Sequence, residues 1–326
     1  MNSFVMARNV GVDILKFIAV LLITNSHLSQ FYPDNISFLA TGGAIGDALF
    51  FFCSGFTLFL KPMGRFDNWY KKRVSRIYPT VFSWAIILAF ILEVDNDMSS
   101  VIMSGGGLFV SCIMVYYIII YLVNRFASKY LYQFFTFYLI FLVVVYFLWN
   151  KDGTLKLYSF MEYSYACVFY FLFMILGAII GKNGFVVEFR KSIIGFIISI
   201  VLFYALIFLS DKVDELNHLQ LLSSLPLLAI VLFLYTMCGS TKIKSLIDKK
   251  YIGWIIKFIG GLCLEIYIVQ LYLLRNWSYN VPFPANMIAI LTMIVLMAYL
   301  LRCTARLFSQ TFNKQDYNWK EIFKMV

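Results

Sequence analysis

The chain has 326 residues, of which 62% are hydrophobic, 19% aromatic and only 13% charged. A soluble fold of this length has too little interior to hide so much apolar surface, which excludes a soluble enzyme or binding module and points to a polytopic membrane protein. The formal net charge of +10 calls for no nucleic-acid partner, because the placement of Lys and Arg about the apolar runs accounts for it.

Taken in chain order, apolar runs of roughly 17 to 25 residues, the length needed to cross hydrocarbon, fall near 10–30, 43–61, 74–93, 106–124, 133–150, 163–181, 192–210, 219–238, 252–273 and 285–308. The expected fold is all-α: about ten transmembrane helices in one membrane-embedded domain, 1–326, with no internal repeat. No small-residue cleavage site follows the first run, so it is read as a helix and not as a signal peptide. Of the 27 Lys and Arg, a cytoplasmic N-terminus leaves Lys151, Lys156, Lys212 and Arg275 outside and Lys16 in the membrane, and puts all the others inside. Both termini are then cytoplasmic. Acidic residues lean outward, in "EVDNDMSS" (93–100) and "SDKVDELNH" (210–218). Six cysteines lie in or beside apolar runs with no CxxC spacing, and read as small packing hydrophobes.

The first run, "DILKFIAVLLITNSHL" (13–28), carries Asp13, Lys16 and His27. A lysine within a span costs about 3 kcal/mol on insertion scales. Lys16 and His27 are separated by three helical turns, so they share a face about 16 Å apart along the axis. Two readings stay open. Lys16 either snorkels to the interface with Asp13 as its i−3 partner, or lines an internal path that leads to His27 in the outer half of the bundle. The chain has only two histidines, the other being His218 in an outer loop, and imidazole is suited to proton transfer near neutral pH.

Two further stretches follow: "ALFFFCSGFTLFL" (48–60) and "WYKKRVSRIYP" (69–79), the latter with Arg73 and Arg76 just before a span. Together with Lys16 and His27, their order and distances resemble acyltransferase family 3, integral-membrane enzymes that O-acylate surface polysaccharides and related glycans. A weaker match, "GGLCLEIYIVQLYL" (260–273), is similar to that family's late helix. Two residues depart from its pattern: Lys16 stands where Arg is common, and Gln270 stands where His is often found. The resemblance implies an O-acyltransferase of the inner (plasma) membrane that holds no resident cofactor. It implies acyl-CoA, acetyl-CoA in particular, as cytoplasmic donor, and a sugar hydroxyl of a glycan or lipid-linked sugar as acceptor.

The residues suit that task to different degrees. Arg73 and Arg76, at i and i+3, share one helix face, and guanidinium forks match the phosphates of coenzyme A. Lys16 belongs with them as a candidate acyl-CoA-binding residue, with Lys71 and Lys72 nearby. A basic cluster beside a span is also what orientation alone demands. The pantetheine arm is then expected to run toward His27, which acts as general base or carries the acyl group transiently. Asp47 is a candidate to orient the imidazole, or an interfacial charge. Glu265, mid-span in the ninth run, is expected to face the central cavity and pair with Lys16 or an Arg, or else to make a structural hydrogen bond. Ser54 and Gly55 suit close helix packing, and Tyr116 and Tyr117 suit packing or the donor path.

Two other functions fit the same outline. A transporter or flippase for a lipid-linked sugar shares the spans and the basic inner face, but favours broken helices, and only Pro79 and Pro226 interrupt the runs. A polysaccharide polymerase favours a large polar outer loop, and the outer loops here are short.

Overall fold

The computed structural model describes residues 9–60, 62–91, 107–153, 155–159, 165–213, 216–277, 281–312 and 315–326. The acidic stretch 93–100 lies outside the described residues, as do Arg8, Lys61, Lys314 and residues 214–215. Among the described residues the regular structure is entirely helical.

In chain order the main helices are α1 (Val10–Ser26), α2 (Gly43–Phe59), α3 (Phe66–Ile86), α4 (Leu108–Ala127), α5 (Leu131–Trp149), α6 (Phe171–Asn183) and α7 (Phe189–Lys212). They continue with α8 (Ser224–Gly239), α9 (Thr241–Asp248), α10 (Lys250–Gly261), α11 (Cys263–Arg275) and α12 (Ala285–Thr311). Each expected apolar run therefore contains a helix. Among the described residues, six helical stretches are long and apolar enough to cross a membrane, or seven if α10 and α11 count as one bent span. In that count the 42-residue stretch Leu108–Trp149 is one span, although it holds both α4 and α5. Helix α1, at 17 residues, is slightly shorter than such a span. The protein is a multi-pass membrane protein.

The outward faces of α5 and α7 show why. Phe137, Ile140, Val144 and Phe147 on α5, and Ile194, Val201 and Leu202 on α7, are each more than half exposed. In water these stripes carry a large hydrophobic penalty; against lipid tails they carry none.

Helix α1 stands at the centre, in contact with α2, α8, α9, α10 and α11. The Asn9 side chain caps its start by accepting from the Gly11 N–H at 3.1 Å. Its far end comes sooner than the run 10–30 suggests. The Asn25 side chain donates to the carbonyls of Leu39 (2.8 Å) and Thr41 (3.0 Å), and the chain then turns into a 3₁₀ segment at Ser29–Phe31. His27 is consequently the C-cap residue of α1.

Glycines let the central backbones approach. A methyl group on Gly55 of α2 would lie 1.9 Å from the Met174 carbonyl oxygen of α6, and one on Gly177 would lie 2.1 Å from that of Phe52. This is the close packing expected of Ser54 and Gly55, with Gly55 alone providing it. Gly46 meets Ala19 and Ile23 of α1 in the same way. Gly43 meets Ser26, and Cys53 lies against the Val12 carbonyl, so α2 runs antiparallel to α1.

A buried amide network ties the end of α5 to the chain before α6 and α8. Gln220 donates to the Leu155 carbonyl (2.7 Å), Asn217 Oδ1 (2.7 Å) and Tyr146 Oη (3.1 Å), and accepts from the Leu157 N–H (3.1 Å). Asn150 joins the same group through Tyr146 and Asn217.

The ninth run departs most from expectation. It is not one helix but two, α10 and α11, meeting at 68°. The break follows Gly260 and Gly261, the pair with the lowest helix propensity in the run. Gly260 packs against the backbone of Asp13 and Phe17, an approach that any larger side chain would obstruct. Pro79, in contrast, lies inside α3 without ending it, and Pro226 falls in the first turn of α8, where a proline is tolerated.

Candidate active site

Beside α1, the helices enclose a cavity of about 270 Å³. Asp13 and Lys16 line it from α1, Ser54 and Thr57 from α2, Arg73 and Arg76 from α3, Tyr117 from α4, Glu265 from the first turn of α11, and Arg302 from α12. The structure thus brings together Lys16, Arg73, Arg76 and Glu265, four of the six residues singled out in the sequence. Lys16 does not simply snorkel to a surface; it faces the cavity shared with both arginines.

Each cation is held by its own helix register. Arg73 and Arg76 are neighbours on one face of α3. The Arg73 guanidinium lies 5.0 Å from the ring centre of Trp69 and 6.0 Å from that of Tyr117, two aromatic faces that restrict its rotamers. Its Nε is buried with no hydrogen-bond partner among the described residues. Lys71 and Lys72 point away from the cavity and are exposed.

Glu265 pairs with Arg302, an arginine that the sequence reading counted only toward orientation. Nε donates to Oε1 at 3.2 Å and Nη2 to Oε2 at 2.9 Å, with side-chain exposures of 15% for Arg302 and 9% for Glu265. Arg302 also donates to the Gly261 carbonyl, an acceptor freed by the break between α10 and α11. The signal was available: Arg302 falls inside the apolar run 285–308, where a charge needs a partner. Helix α11 starts at the cavity wall with Cys263 and Leu264, so its positive dipole end faces the same space.

A second, much smaller cavity of about 10 Å³ adjoins the first. Phe50, Phe109, Cys263 and Leu264 line both and form the partition between them. Beyond it, the small cavity is bounded by Val20, Ile23 and Thr24 of α1 and by Tyr267 and Gln270 of α11. Gln270 is fully buried, and its Oε1 accepts from Thr24 Oγ1 at 3.1 Å. Along α1, Asp13, Lys16, Val20 and Thr24 therefore make one stripe facing the two cavities, and His27 continues it by one turn.

His27 and Asp47 do not line the large cavity. His27 is exposed among the described residues, not set inside the bundle as expected, because α1 stops at Ser26. Asp47 is half-buried on α2. Its neighbour Gly46 packs on Ala19 and Ile23, so Asp47 lies nearly two turns deeper than His27, and no hydrogen bond joins them among the described residues. Tyr116 and Tyr117 separate in role: Tyr117 lines the cavity, whereas Tyr116 is buried and donates to the Cys167 carbonyl at 2.7 Å.

These features define a class: a helical membrane protein whose interior holds a cation-rich chamber. The family model for acyltransferase family 3, described as an acyltransferase domain, matches residues 9–303. The chain belongs to that family and is a membrane acyltransferase. Comparison with curated proteins and with solved structures gave no match.

Proposed function

We propose that the protein is an O-acyltransferase of the inner (plasma) membrane that passes an acetyl group from cytoplasmic acetyl-CoA to a hydroxyl of a surface polysaccharide or lipid-linked glycan. In this reading one domain spans 1–326 with ten crossings, and both termini are cytoplasmic. The observation that carries it is the convergence of Lys16, Arg73, Arg76 and Arg302 on one cavity. Two carboxylates, Asp13 and Glu265, offset only part of that charge. A chamber with surplus positive charge favours the pyrophosphate and 3′-phosphate of coenzyme A, through charge-assisted bonds of about 1.5–3 kcal/mol each.

The thioester then follows the stripe on α1 past Phe50 and Phe109. At its end His27 removes the acceptor proton as the hydroxyl oxygen attacks the thioester carbonyl. The C–O bond forms, the C–S bond breaks, and the departing sulfur takes up the proton. The exposure of His27 favours acceptor entry from that end of α1. Direct attack also fits the site better than a long-lived acyl-His, because an exposed acyl-imidazole would be open to water. We assign Glu265 to holding Arg302, and Asp47 to the electrostatics beneath the imidazole.

A flippase for a lipid-linked sugar is the second reading, and the broken helix α10–α11 favours it, since discontinuous helices mark many transporters. Binding of acetyl-CoA and coenzyme A to the detergent-purified protein separates the two. Saturable binding that is lost on Arg73→Ala with Arg76→Ala, and retained on Lys182→Ala with Lys191→Ala, supports the transferase. Folded, monodisperse wild-type protein that binds neither would leave the flippase.

A further inference from the structure

We infer that Gln270 is a further catalytic residue, whose side-chain N–H donates a hydrogen bond to the acyl carbonyl oxygen of the donor. The inference rests on the acyltransferase reading above and adds the group that receives the negative charge formed in the reaction.

Gln270 is the residue at which the sequence departs from the family's late-helix pattern, so the imidazole often found there has no counterpart in this chain. The amide nevertheless carries a distinct chemistry. It is 0% exposed. Its oxygen is committed to Thr24 Oγ1 at 3.1 Å, which fixes the orientation of the amide. Nε2 has no hydrogen-bond partner among the described residues. A buried donor left unpaired costs about 1–3 kcal/mol, and such a group in a native protein requires an explanation.

The small cavity supplies one. Gln270 lines it, and its volume of about 10 Å³ suits a single oxygen-sized group. The cavity shares Phe50 and Phe109 with the cation-rich chamber and lies along α1 between Lys16 and His27. A thioester threaded from a phosphate anchor near Arg73 toward His27 therefore passes its carbonyl by Nε2. When the acceptor oxygen attacks the carbonyl carbon, the π electrons move onto that oxygen. A fixed, buried donor stabilises the resulting oxyanion without reorganisation. Collapse of the tetrahedral intermediate restores the carbonyl and expels the coenzyme A sulfur. Thr24 is a positioning residue in this scheme, acting only through the amide.

The test compares wild type with Gln270→Leu and Thr24→Val, all full-length in detergent, with coenzyme A and carbonyl-¹³C acetyl-CoA as probes. Infrared difference spectra read the thioester carbonyl stretch, and calorimetry reads both affinities. The expected result is a wild-type band below that of free acetyl-CoA, which returns to the free position in Gln270→Leu. The preference for acetyl-CoA over coenzyme A falls by about five-fold, the worth of one neutral hydrogen bond, while coenzyme A affinity stays unchanged. Thr24→Val preserves volume and is expected to broaden the band and lose part of its shift, which keeps the test decisive if the leucine variant folds poorly. A wild-type band already at the free position overturns the inference, as does an unmoved shift in both variants, and the acyltransferase reading survives either result. Wild-type protein that binds neither probe overturns both.

Discussion

Arg302→Met tests whether the Glu265–Arg302 pair holds the broken helix. The substitution removes two hydrogen bonds to a carboxylate whose side chain is 9% exposed, and also the donor to the Gly261 carbonyl. Breaking a buried pair by deleting one partner costs about 3–5 kcal/mol, most of it from the charge left behind. The pair borders a 270 Å³ cavity that admits water, so the lower figure applies, about 3 kcal/mol. At about 2 °C per kcal/mol for a chain of this size, the melting temperature in detergent should fall by about 6 °C. Adding Glu265→Gln removes the stranded charge and should restore at least half of the loss, a coupling that a double-mutant cycle isolates. The assay is a thermal melt of the four purified proteins at one pH and salt concentration. An Arg302→Met protein that melts with wild type, or a double variant no better than the single, refutes the reasoning.

Three further outcomes follow from the geometry. His27→Ala should abolish acyl transfer while acetyl-CoA affinity and melting temperature stay close to wild type; a fully active, well-expressed variant would remove the histidine from the mechanism. Gly55→Ala should yield little folded protein because its methyl would collide with the Met174 backbone, whereas Gly64→Ala, with open space around it, should express normally; equal yields from size-exclusion chromatography would contradict the packing. Gln220→Leu leaves the Leu157 N–H and the Asn217 and Leu155 oxygens short of a partner and should cost about 2–3 kcal/mol, read as a fall in melting temperature.

Much of the helical layout was legible because membrane spans announce themselves by length and composition, and each expected run does contain a helix. Lys16, Arg73, Arg76 and Glu265 were legible for a related reason: charges placed in or at the edge of hydrocarbon must find a polar interior. What stayed hidden depended on contacts between distant segments. Arg302 lies 37 residues beyond Glu265, and no periodicity joins them. The 68° bend needs Gly260 to press on α1, whereas the sequence shows only an apolar run with two glycines. His27 was expected inside the bundle because the run continues to residue 30; the Asn25 side chain, committed to the Leu39 and Thr41 carbonyls, ends the helix first. Gln270 read as a lost imidazole until Thr24 was seen beside it.

The single stripe on α1 has a mechanical consequence. In the mechanism proposed above, α1 carries the anchor for the donor's phosphates near one end and the proton acceptor at the other, and a stiff α-helix with that arrangement works as a ruler. Each residue inserted between Lys16 and His27 advances the imidazole by about 1.5 Å and swings it by about 100°, so it leaves the stripe entirely. Seven added residues, close to two whole turns, return it to the same face but about 10 Å farther away. On that reading the spacing of ten residues between Lys16 and His27 is a length standard for the donor: it selects a substrate whose reactive carbon lies one arm's length from its charged end, and a shorter or longer one should be a poorer substrate.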